Sequence, residues 1–194
     1  MVLEIIGARF LAPFFGSSFY VWISQIGVIL IALSFGYYFG GWFADRQRRV
    51  RILAFMIMLS GIYTTLVPKY APKFLDMIVM RHPLGEDIPM LWQKLDPAFG
   101  SAILFLLPCF FLAMLSPFMI RLASKNISHV GRISGLIYAF STVGSIAGVF
   151  ISGYIMIDTM KISIIIITMG ALTVLVGILC AISDRWFAIE DSDA

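Results

Sequence analysis

Between Gly36 and Arg51 the chain changes character within a few residues. An apolar stretch with glycines at 36, 40 and 41 runs into Asp45-Arg46, three more arginines follow, and apolar sequence resumes at Ile52. Such a switch marks one face of a membrane, because dense positive charge stays out of the hydrocarbon core. The rest of the chain can be oriented from it.

Composition agrees. Hydrophobic residues make up 60% of the 194 and charged residues 13%, with a mean hydropathy of +0.96. A soluble domain carries about 25% charged residues, so most of this chain has lipid as its solvent. The formal charge is +3, but the arginines cluster in short loops, a pattern of membrane orientation and not of nucleic-acid binding. Cys109 and Cys180 each sit inside an apolar run, so neither a disulfide framework nor a metal site is expected. Glu4 stands where a secretory signal would be basic.

The expected architecture is an all-α integral membrane protein of about six transmembrane helices, forming one domain over 1–183. Spans are expected at about 1–15, 19–44, 50–67, 97–122, 131–157 and 162–183, with a short tail over 184–194. The first, closed by Pro13 and Gly16, would reach only about 22 Å at roughly 1.5 Å per residue, short of a core of about 30 Å. It reads as a truncated helix. Ser17 and Ser18 are N-cap candidates for the second span. Pro68 is expected to end the third, leaving an extracytoplasmic loop over 68–96 with a short interfacial helix at 73–80 and Trp92 as a surface anchor. Asp96-Pro97 reads as an N-cap and first turn, and Pro108 and Pro117 as kinks in the fourth span.

If every span crosses once, eight Lys/Arg fall on the side of the arginine loops (46, 48, 49, 51, 121, 125, 132, 185) and five on the other (69, 73, 81, 94, 161). The bias places the arginine loops and the C-terminus in the cytoplasm, and the plasma membrane is the expected location.

Glycines at GxxxG spacing let helices approach closely. Gly36 and Gly40 supply one such pair, and Gly135, Gly144 and Gly148 belong to a stripe of small residues in the fifth span. That stripe reads as a packing face, or alternatively as a sliding surface beside a substrate path. Glu4 and Arg9 are ionisable groups in an apolar segment, which marks them as substrate-binding candidates. Gln25 and Tyr138 join them as polar groups in apolar runs, each with interhelical hydrogen bonding as its plainer role.

Two resemblances meet in these residues. Gly41-Trp-Phe-Ala-Asp-Arg-Gln-Arg-Arg49 resembles the loop after the second helix of major facilitator superfamily transporters, with Arg48 where that pattern has glycine. The resemblance implies a cytoplasmic gate or latch, with Asp45, Arg46, Arg49 and Arg121 as candidates. The segments 2–18, 36–46, 116–121 and 131–148, in that order, are similar to the membrane domain of spermidine synthase-like proteins, the fused transporter/spermidine synthase family. This implies a fold like half of a major facilitator transporter and a polyamine or related cation as solute.

The soluble synthase domain of fused members has no counterpart up to Ala194: no G-x-G-x-x-G follows a strand, and no paired carboxylates do. The chain is therefore expected to be no enzyme and to need no cofactor. Two functions remain open: solute transport as a homo-oligomer or with a partner membrane protein, and a non-transporting anchor for a separate soluble aminopropyltransferase-like enzyme. An intramembrane enzyme is the weakest reading, because His82 and His129 lie in loops without a nucleophile or metal spacing.

Overall fold

The computed structural model describes residues 1–47, 49–82, 88–123 and 130–190, and of 184–190 the backbone alone. Arg48, Lys125, His129, the side chain of Arg185 and the end of the tail lie outside the described residues. Among those described, the chain forms six helical segments and no strand. They are α1 (Val2–Phe15), α2 (Phe19–Arg46), α3 (Val50–Val79), α4 (Met90–Ala123), α5 (Val130–Thr159) and α6 (Ile162–Glu190). Five of them, α2 to α6, are long and apolar enough to cross a membrane. The short α1, with 14 residues, covers about 21 Å at roughly 1.5 Å per residue.

Two pairings dominate the packing, α3 along α6 and α2 along α4. Both depend on glycine. A Cβ on Gly40 would lie 2.7 Å from Cα of Met114, and one on Gly36 would lie 2.6 Å from the Phe110 carbonyl and overlap Ala113. In the other pair, a Cβ on Gly177 would come 3.0 Å from the Met58 nitrogen. Without side chains at these points the backbones close up, which is the main source of helix association in lipid. The core formed around α1 includes Ile6, Leu11, Val67, Leu75, Phe105 and Ile165, all buried.

The glycines of α5 behave differently. Gly135 and Gly144 have nothing within 4 Å of a would-be Cβ, and Gly148 alone of the three meets a neighbour, Val2, at 3.0 Å. Only 6% of the apolar window of α5 is buried, against 22% to 44% in the other four long helices. At Gly135 and Gly144 the expected packing stripe therefore meets no neighbour among the described residues.

Three boundaries depart from expectation. Pro68 does not end α3, which continues to Val79 with Pro68 and Pro72 inside it. Val67, Ala71 and Leu75 are buried one turn apart, so the apolar stripe that packs the helix holds it together across both prolines. The interfacial helix expected at 73–80 is the last part of this same helix. Finally, α4 begins at Met90 with Pro97 inside it. Asp96 is thus no N-cap; it is 4% exposed and bonded to Arg81 and His82.

Within α4 a π-turn, Ala102–Leu106, precedes Pro108. In a π-turn the carbonyl of Ile103 would look to the nitrogen of residue 108, and proline has no N–H to give. Tyr63 of α3 fills the gap, its hydroxyl donating to the Ile103 carbonyl at 2.5 Å, and Ser60 donates to the Pro108 carbonyl at 3.0 Å. A second π-turn, Ile151–Met156, interrupts α5.

Candidate functional site

The first turn of α1 lies beside Ile29 and Leu33 of α2 and Cys109 of α4. A cavity of about 350 Å³ opens there, and all six helices contribute to its wall. Glu4 is the only carboxylate among the described residues lining it. Six hydroxyls join it, from Tyr37 (α2), Thr64 (α3), Ser116 (α4), Ser141 and Ser145 (α5) and Thr173 (α6).

Two of the hydroxyls have a direction. Thr64 donates its proton to the Ser60 carbonyl and Thr173 to the Met169 carbonyl, each at 2.8 Å and one turn back. A threonine whose proton is spent on its own helix offers only oxygen lone pairs outward. Thr64, Thr173 and the Glu4 carboxylate therefore present acceptors to the cavity, while the hydroxyls of Tyr37, Ser116, Ser141 and Ser145 can both donate and accept. Such a wall suits a solute that brings N–H donors and positive charge.

The other substrate-binding candidates lie elsewhere. Arg9 is exposed and lines neither of the two larger cavities. Tyr138 is 53% exposed on α5. Gln25 is fully buried but occupied: its Oε1 accepts from Ser101 at 2.5 Å, and its amide nitrogen reaches the Leu3 carbonyl at 3.4 Å. The same amide fills the space that a side chain on Gly7 would need. Gln25 thus ties α1, α2 and α4 together, the plainer of its two expected roles, and lines neither of the two larger cavities.

At the arginine end, two of the four latch candidates meet. Arg121 Nε lies 2.8 Å from Asp45 Oδ1, joining the ends of α2 and α4. The Nε–H makes no aligned hydrogen bond, so the contact is one of charge. Arg46 instead lies over the Trp42 ring at 3.9 Å, a cation–π contact within one helix. Arg49 is exposed, and its carbonyl accepts from the Ile52 N–H at the start of α3.

Thr64, Ser116 and Thr173 escaped the sequence reading, since single hydroxyls in apolar spans are common and usually bond to their own helix. The family models, curated proteins and solved structures compared with the chain gave no match.

Proposed function

We propose that the chain is a transport-type membrane module, related to the membrane domain of spermidine synthase-like proteins and built like half of a major facilitator transporter. It moves a small cationic solute of the polyamine class through the central cavity, with the arginine loops and C-terminus in the cytoplasm and the plasma membrane as its location. The observation that carries this reading is the wall of the central cavity, a carboxylate and six hydroxyls drawn from every helix of the bundle. Glu4 provides the charge that holds the cation, and the Asp45–Arg121 pair is the gate beneath it. One six-helix bundle is small for alternating access, so the working unit is a homo-oligomer or a complex with a partner membrane protein.

Uptake of labelled spermidine into proteoliposomes tests it. The wild-type chain is expected to accumulate label and Glu4→Gln to lose most of that uptake; equal uptake by both removes Glu4 from the mechanism. The second reading, an anchor for a soluble aminopropyltransferase-like enzyme, draws on the exposed Arg46 and Arg49 at the arginine end. Absence of uptake by the wild-type chain, together with co-purification of such an enzyme, would favour the anchor.

A further inference from the structure

A larger cavity, of about 550 Å³, lies at the other end of α1, where α1 and α3 end and α2 and α4 begin. Its size is that of a small-molecule site. Four aromatic rings form much of the wall, Phe14, Phe15, Tyr20 and Trp92. Asp96 is the only carboxylate among the described residues that line it. A carboxylate so far from water needs a cation or strong donors beside it.

The chain supplies both. Arg81 Nη2 donates to Asp96 Oδ1 at 2.5 Å, and His82 Nε2 lies 2.6 Å from Oδ2. The guanidinium of Arg81 also lies over the Trp92 ring at 4.1 Å, and Lys94 Nζ lies 5.3 Å from the Tyr20 ring. Two of the four wall rings therefore already carry a cation. The Arg81 side chain is 47% exposed, whereas that of Asp96 is 6% exposed. Arg81 is thus partly open to solvent, whereas its two partners, Asp96 and Trp92, are part of the cavity wall.

We propose that this cavity binds an organic cation, an amine or amidinium group on an apolar body, and that Arg81 is the tethered occupant of its seat. A carboxylate in the plane of a cation and an indole on its face select a planar, positively charged group. The apolar body of the ligand lies against Phe14, Phe15 and Tyr20 once the Arg81 guanidinium swings out to solvent. The transport reading is not needed for this, because Glu4 and its cavity are at the opposite end of α1.

The test is calorimetric titration of the full chain in detergent with three probes of one shape: benzamidinium (cation), benzamide (neutral) and benzoate (anion). Only benzamidinium is expected to bind. Arg81→Gln keeps a donor for Asp96 but removes the competing charge, and should tighten benzamidinium binding about tenfold; Trp92→Leu should weaken it by about the same factor. Preference for benzoate, equal binding of all three probes, or no benzamidinium binding to either wild type or Arg81→Gln overturns the proposal. So does an unchanged affinity in Arg81→Gln. If a variant does not elute as a monodisperse species, the three-probe comparison on the wild-type chain decides alone.

Discussion

Gly61 and Gly170 meet backbone to backbone where α3 crosses α6. A Cβ on Gly61 would lie 2.8 Å from the Gly170 carbonyl oxygen, and a Cβ on Gly170 would lie 2.9 Å from that of Gly61. Neither neighbour can give way by a rotamer change, since both obstacles are backbone. Gly61→Ala and Gly170→Ala are each expected to destabilise the bundle by about 1–3 kcal/mol, as overpacking does. Gly135→Ala, in open space, should leave stability unchanged or slightly raised. Thermal unfolding in detergent, followed by the fraction remaining monodisperse, separates the two outcomes.

The Gln25–Ser101 bond links α2 to α4 in the core. Ser101→Ala leaves the Gln25 carbonyl oxygen buried without its donor, at an expected cost of about 1–3 kcal/mol. Adding Gln25→Leu should cost less than the sum of the two single changes, because the second removes the group that the first orphaned. Additive costs in the double-mutant cycle would show that the bond is not formed.

Tyr63→Phe removes the hydroxyl that serves the Ile103 carbonyl. The expected loss is about 0.5–1.5 kcal/mol, with faster amide hydrogen exchange concentrated in the Ala102–Leu106 turn. Exchange that rises evenly over α4 would mean that the hydroxyl does not support the turn.

Asp45 and Arg121 are both substantially exposed. Breaking their ion pair with Asp45→Asn should change stability by no more than about 1 kcal/mol. The reversed pair, Asp45→Arg with Arg121→Asp, should restore whatever the single change loses. If spermidine uptake falls in Asp45→Asn while stability holds, and returns in the reversed pair, the contact acts as a gate.

The long helices were legible because apolar runs of membrane length leave few alternatives. What escaped the sequence was decided between helices. Pro68 and Pro72 signal a break locally, and only the burial of Val67, Ala71 and Leu75 against distant helices overrules them. Asp96 beside Pro97 has every local mark of a helix start; its partners Arg81 and His82 lie just past the end of α3. Gln25 stood out as a polar group in an apolar span, but its partner Ser101 is 76 residues away. The Glu4 cavity was half visible: the carboxylate was evident, whereas Thr64, Ser116 and Thr173 acquire meaning only when their helices converge.

The π-turn in α4 has a geometric result. Ser101 faces Gln25 before the turn, and Ala113 faces Gly36 after it, both on α2. On an unbroken α-helix, counted at about 100° per residue, these two positions would point roughly a third of a turn apart. One residue absorbed by the bulge takes away nearly that angle. The two halves of α4 are thus out of phase with each other so as to be in phase with α2. Deleting a single residue between Ala102 and Leu106 would close the segment into a plain α-helix with both halves still facing α2, whereas straightening the turn with every residue kept would rotate one half off its partner.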